Sequence, residues 1–185
     1  MDRLHADTSE AFKGNADGYD KYRTPFPESA REALFTHFGL KRGSTIADIG
    51  AGTGHVSVPL AKDNIVYHVD KSADMNRIAK AKYQPSAGDT GALHFVEANA
   101  SSTGIPDKSV DAIMMTNTAH WLIGDDYADN LAEMHRILKP DGKVIVAHNF
   151  INADNLDMMG LNSQLKTLFP SGRARLQDSF AHGVD

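Results

Sequence analysis

Apolar residues recur along this chain in two alternating rhythms. Between Pro25 and Phe38, the residues Ala30, Ala33, Leu34, His37 and Phe38 fall at helical spacing, with Pro27 near the start and Gly39 as a stop. Thr45-Ile-Ala-Asp-Ile49 is then a short apolar run interrupted by one acid, and it passes through Gly50-Ala-Gly-Thr-Gly54 into His55-Val-Ser-Val-Pro-Leu-Ala61. That order predicts a strand, a glycine turn and a helix start. Ile65-Val-Tyr-His-Val69 is β-branched and aromatic and ends at Asp70, and Ser72 is a candidate N-cap for a helix reaching Tyr83. Ala92–Val96 and Val110–Met115 predict two further strands across a polar loop holding Gly104, Pro106 and Asp107. From Asp125 to Leu138, the positions of Tyr127, Leu131, Met134, Ile137 and Leu138 predict a helix, which Lys139-Pro-Asp-Gly142 closes as a turn before a fifth strand, Lys143–His148.

Strands alternating with helical stretches predict βαβ crossovers, and hence a mainly parallel α/β sheet covered on both faces. The expected divisions are an N-terminal helical lid segment over residues 1–40, a core over 41–150, and a C-terminal helical segment over 151–185 built on the amphipathic stretch Leu156–Phe169. No internal repeat or linker breaks this order.

Composition narrows the function classes. The chain has 185 residues with 41% hydrophobic and 23% charged positions, near the globular average, so a core of ordinary size can form. The absence of cysteine removes disulfides, thiolate metal sites and a cysteine nucleophile, and suits a reducing cytoplasm. Its net charge of −5 comes without a basic stripe, so neither nucleic acid nor a membrane is an expected partner. Nine histidines invite a metal, yet none shows paired ligand spacing such as H-E-x-x-H, and no metal is expected.

Ligands of open α/β sheets bind outside the carboxyl ends of the strands, so the loop after each strand is where site residues are expected. A glycine turn such as Gly50-Ala51-Gly52-Thr53-Gly54 lets backbone approach a ligand and exposes N–H groups, the alternative being a bare strand-to-helix turn. Asp70, sixteen positions after Gly54, can accept both hydroxyls of a ribose, or serve only as a helix N-terminal acid. The spacing is G-x-G-x-G and not the dinucleotide G-x-G-x-x-G. Asp48, inside an apolar strand two residues before the glycines, is costly to bury unless it faces a cation, and a pyrophosphate would not want it there. An S-adenosylmethionine ligand carries an ammonium and a sulfonium, and its carboxylate could take the N–H groups of the loop.

Asp48-Ile-Gly-Ala-Gly-Thr-Gly54, Val69-Asp70 with Met75 five residues on, Ile105-Pro-Asp-Lys-Ser-Val-Asp111 and Leu138-Lys-Pro-Asp-Gly142 resemble the successive motifs of class I S-adenosylmethionine-dependent methyltransferases. The resemblance spans roughly Tyr19 to Phe150 and implies a Rossmann-like, doubly wound sheet of order 3-2-1-4-5. Such proteins usually continue with two more strands, which the 35 residues after Phe150 look too short and too helical to supply. A truncated chain, a self-covered edge or a homodimer through the edge of the fifth strand are the resulting expectations.

The resemblance also implies site residues. Asp48, Gly50 and Gly52 would face the methionine moiety, Asp70 would hold the ribose, and Ser72 or Met75 would lie near the adenine, with Ala51 and Lys71, Asn99 and Ala100 after strand three, and Thr116 after strand four completing the cofactor set. Asn99 stands where the family usually has an aspartate, and its carbonyl can still accept a hydrogen bond. Tyr19-x-x-Tyr22-Arg23-x-Pro25-x-Pro27 and Thr116-Asn117-Thr-Ala-His120-Trp121 look like the trans-aconitate methyltransferase group. Tyr19 and Tyr22 are candidates to close over the cofactor, Arg23 is the candidate to hold a carboxylate of cofactor or substrate or else a solvated helix-end charge, and Tyr22, Asn117 and Trp121 are expected in the substrate pocket.

Methyl transfer to a small molecule, at oxygen (carboxylate or hydroxyl), leaving S-adenosylhomocysteine, is the expected reaction. A hydroxyl would need a base, for which His120 is the candidate, although it can equally be a packing residue beside Trp121. The rivals are a methyltransferase-like module that is silent alone or needs a partner, and an NAD-dependent dehydrogenase, which the glycine spacing and Asp48 disfavour.

Overall fold

The computed structural model describes residues 14–23, 26–119, 122 and 126–147. The chain divides into two compact units, Met1–Ala147 and His148–Asp185, and the second falls wholly outside the described residues, as does the predicted helix Leu156–Phe169. The elements of the first unit run α1 (Ala16–Tyr22), α2 (Glu28–Thr36), β1 (Thr45–Ile49), α3 (Ser57–Leu60), β2 (Ile65–Val69), α4 (Ala73–Lys82), β3 (Ala92–Val96), β4 (Val110–Thr116), α5 (Tyr127–Ile137) and β5 (Leu138–Ala147).

All four strand pairings are parallel, and the order β3-β2-β1-β4-β5 places the reversal between β1 and β4. The central strands are covered on both faces, so their sequences read as apolar runs without alternation. Ile46, Ala47, Val66, Ala112, Ile113 and Met114 are all fully buried. Burying each of the larger ones contributes about 1.5–3 kcal/mol. Asp111 breaks the run in β4 for a reason: its Oδ2 accepts the Thr45 N–H of β1 at 2.8 Å, and its Oδ1 accepts from Lys139 Nζ at 2.7 Å.

That second bond concerns the segment predicted as a turn. Lys139-Pro-Asp-Gly142 lies inside β5, which begins at Leu138 and not at Lys143. Val110 pairs with Leu138 while Ala112 pairs with Lys143, so the residues between are accommodated as an irregularity on the β5 side. Pro140 lacks an N–H to give a ladder, and such residues are tolerated at bulges and on edge strands.

Helix α4 matches the sequence pattern closely, with the Ser72 hydroxyl accepting the Met75 N–H and Lys80 and Lys82 in the last turn. Helix α1 lies against it. Ala16 and Tyr19 pack on Met75 and Ile78, and Asp17–Arg77 at 2.8 Å and Asp20–Lys82 at 2.6 Å flank that contact.

Candidate functional site

The carboxyl ends of β1, β2, β3 and β4 meet in one cleft beside the reversal of strand order, where open α/β sheets bind ligands. Its walls come from the loop after each strand: Gly50 and Gly52, then Asp70 and Lys71, then Asn99 and Ala100, then Asn117. Tyr19 of α1 and Met75 of α4 close one side, and Asp126 and Asn130 at the start of α5 stand on another.

Each glycine of the turn has a separate task. Gly50 has φ +67°, and a Cβ there would lie 2.1 Å from Thr118 Cγ2, because the Thr118 hydroxyl sits 3.0 Å from the Gly50 carbonyl and pins the β1 loop to the β4 loop. Gly52 has φ +57° and faces the cleft, with Tyr19 4.0 Å from where a Cβ would be. Gly54 lets the loop approach α4, since a Cβ would meet Ala79 at 3.0 Å.

The loop does not present the anion cradle expected of it. The N–H groups of Gly50 and Ala51 donate to the Val69 carbonyl at 2.8 and 3.1 Å, that of Gly54 to Ala51 at 3.1 Å, and that of Gly52 to Asp70 Oδ2 at 2.8 Å. With these donors spent, the loop is a smooth floor and does not offer them to a phosphate or a carboxylate.

Asp70 organises two loops at once: Oδ2 takes Gly52, and Oδ1 takes the Ser72 N–H at 2.8 Å. Burial raises its pKa, and those two N–H groups work against the rise. Each oxygen keeps a further lone pair for a ligand hydroxyl.

Beneath the floor, Asp48 is 1% exposed, and its Oδ2 has no hydrogen-bond partner. Burial first, and the charge of Asp70 second, push its pKa up to about 7, against hydrogen bonds from the Ser57 backbone and hydroxyl. A buried carboxylate with an unsatisfied oxygen is stabilised by a cation and repelled by a phosphate.

The remaining expected residues divide between the cleft wall and places outside it. Arg23 stands outside the cleft lining with its guanidinium 5.4 Å from the centre of the Tyr19 ring. Tyr22 is 82% exposed, away from the lining where a substrate pocket was expected. Ala51 and Thr116 are half-buried outside the cleft lining, and Asn117 is in the wall with φ +55°, a left-handed conformation that asparagine tolerates better than most non-glycine residues. His120 and Trp121 lie outside the described residues. Sequence reasoning missed Thr118, Asp126 and Asn130. The last two are four apart at the head of α5, a spacing that puts both on one helix face. Among the described residues, no three acidic or imidazole side chains converge as a metal site, and no helix is long and apolar enough to cross a membrane.

A 3-2-1-4-5 parallel sheet with a glycine turn after β1, an acid after β2 and a cation-seeking acid under the turn defines a Rossmann-like protein for a nucleoside-bearing cofactor. The family model for a methyltransferase domain matches residues 47–146, and the chain belongs to that family. Its fold is that of the class I S-adenosylmethionine-dependent methyltransferases.

An uncharacterized methyltransferase of Schizosaccharomyces pombe is 26% identical over 75% of this chain and 52% of its own length. A ubiquinone/menaquinone biosynthesis C-methyltransferase of Escherichia coli is 29% identical over 58% of this chain and 43% of its own. The crystal structure of a SAM-dependent methyltransferase from Aquifex aeolicus superimposes with a TM-score of 0.58 at 26% identity, covering 71% of each chain. The chain thus spans about half the length of the curated relatives it matches.

Proposed function

We propose that this protein transfers a methyl group from S-adenosylmethionine to a small-molecule acceptor. The observation that carries the reading is the pairing of a floor whose N–H groups are spent with a buried Asp48 whose oxygen lacks a partner. A dinucleotide pyrophosphate would find the N–H groups of Gly50, Ala51, Gly52 and Gly54 already taken and an acid beneath them, whereas a ligand with an ammonium finds its counter-charge. Asp70 would hold the ribose, Met75 the adenine side, and Tyr19 the lid position. Arg23, which stacks near Tyr19, would take the ligand's carboxylate in place of the loop.

When bound, S-adenosylmethionine supplies an electrophilic methyl carbon on a sulfonium leaving group. The protein's own task is then alignment and exclusion of water. We assign acceptor entry to the side of Asn117, Asp126 and Asn130. Asp126 would repel a carboxylate, so a neutral hydroxyl or an acidic carbon suits that wall better; the relative from Escherichia coli is by its name a C-methyltransferase. His120 would receive the acceptor proton as the acceptor's new bond to the methyl carbon forms and the carbon–sulfur bond breaks.

Formation of S-adenosylhomocysteine in the presence of hydroxylated and enolic acceptors tests the reading, and its absence for every acceptor would sink it. A second reading is a cofactor-binding module that works only with a partner, the arrangement of the solved complex between a Haloferax volcanii methyltransferase activator and a methyltransferase of the same fold. Cofactor binding without turnover, with turnover restored by a partner, would support it.

A further inference from the structure

Behind Asp48 lies a buried polar line that the reaction does not use. Asp48 and His68 are register partners on β1 and β2, so their side chains leave the sheet on the same side, and Ser57, at the start of α3, meets His68 there. Ser57 and His68 are 0% exposed. The Ser57 hydroxyl lies 2.6 Å from His68 Nδ1, and the Ser57 N–H and hydroxyl are the groups that work against the rise in the Asp48 pKa. Three buried polar side chains in a row cost several kcal/mol in desolvation unless their hydrogen bonds are consistent in direction.

A serine hydroxyl has one proton to give, and that fixes the directions. With Asp48 ionised, the hydroxyl donates to Asp48, so His68 must carry its proton on Nδ1 and donate it to Ser57. With Asp48 protonated, the acid donates to Ser57, the hydroxyl turns to His68 Nδ1, and the ring proton moves to Nε2. Nε2 itself has no hydrogen-bond partner, and the Gly52 backbone of the cleft floor favours a proton on the ring. Resting on the cofactor reading of the cleft, we propose that Ser57 and His68 are positioning residues that hold Asp48 ionised for a cationic cofactor group, so that cofactor binding releases a proton and flips the tautomer of His68.

Protons balance across the change. In the protonated form, one proton sits on Asp48, one on Ser57 and one on His68; in the ionised form, Ser57 and His68 keep theirs and one leaves to solvent. The charged groups that face the line are Asp70, which acts on Asp48, and Lys80 and Lys82 of α4, which act on His68; Phe95 of β3 packs on the ring at 5.1 Å. Burial holds His68 down to about 4, so the ring stays neutral throughout and only its tautomer changes.

The experiment is calorimetric titration of the full chain with S-adenosylhomocysteine, which keeps the ammonium, at pH 6.5 in two buffers of different ionisation enthalpy, alongside nitrogen-15 spectra of the His68 ring. Net release of a fraction of a proton per site and a shift of His68 from the Nε2–H to the Nδ1–H form are expected. His68→Phe should weaken binding about tenfold, the scale of a lost buried hydrogen bond, while His68→Asn, whose amide can stand at the Nδ1 position, should recover most of it. Should His68→Phe fail to fold, the proton release and the tautomer of the unaltered protein still decide. Binding with buffer-independent heat and an unchanged tautomer overturns the proposal alone. No binding at all overturns the cofactor reading and takes the proposal with it.

Discussion

Asp70 and Gly52 are joined across the cleft floor: the carboxylate at the end of β2 accepts the Gly52 N–H at 2.8 Å, 18 residues earlier in the chain. Its other oxygen accepts the Ser72 N–H at the head of α4, so one side chain fixes the floor and the ribose wall together. Both oxygens meet N–H donors, and Asn, with one acceptor oxygen and one NH2 group, can satisfy only one of them. Asp70→Asn and Asp70→Ala are both expected to weaken S-adenosylhomocysteine binding by about 1–3 kcal/mol. Equilibrium dialysis checks this, and an unaltered affinity would reduce Asp70 to a turn-former.

Gly50 and Thr118 join the two sides of the strand-order reversal. Gly50→Ala places a Cβ 2.1 Å from Thr118 Cγ2 at φ +67°, so strain and clash add. A loss of roughly 2–3 kcal/mol in urea unfolding is expected, of which Gly50→Ala combined with Thr118→Ser should recover only the steric share. Full additivity of the two substitutions would mean that Gly50 and Thr118 are not in close contact.

Acid sensitivity should reside in Glu133. Its Oε1 accepts from the Thr103 N–H and hydroxyl at 2.7 and 2.6 Å, and Arg136 bonds both oxygens at 2.8 and 2.7 Å. The Arg136 bond foremost, and the Thr103 bonds next, hold the carboxyl down to about 2. A folded pKa below the unfolded one means stability that is full above about pH 4.5 and drains away as pH falls toward 2. Because Arg136 is partly exposed, the contribution is about 1–2 kcal/mol. Glu133→Gln should lower stability at pH 7 and flatten the acid limb, as chemical denaturation at pH 7 and pH 3 would reveal.

Helix α1 is held on α4 by part-exposed charge. Asp20 sits 2.6 Å from Lys82 and 2.9 Å from His55, and the helix it anchors carries Tyr19 to the cleft. Pairs of this kind contribute about 0.2–1 kcal/mol and are screened by salt. Asp20→Asn should therefore speed amide exchange in α1 severalfold while leaving exchange in the central strands unchanged; equal acceleration everywhere would contradict a local latch.

The strands were legible because each is a contiguous apolar run bounded by turn residues: β1, β2 and β3 occupy the residues the pattern predicts, and β4 gains only Thr116. The start of β5 was not legible, since Lys139-Pro-Asp-Gly142 carries every local turn signal and only Asp111, 28 residues away, explains why it lies against the sheet. In the site, Asp48 stood out as an acid within an apolar strand. Its support from Ser57 and His68 did not, because two separate stretches of chain bring those residues together. The spent N–H groups of the glycine loop were likewise invisible, for a loop's sequence does not tell which carbonyls its donors will find.

Whether the cleft takes a cation-bearing nucleoside and not a dinucleotide is tested most directly by titration calorimetry of the full chain with S-adenosylhomocysteine and, separately, with NAD. Saturable binding of S-adenosylhomocysteine at one site, with none of NAD, is the predicted result; binding of NAD with no response to S-adenosylhomocysteine would contradict it.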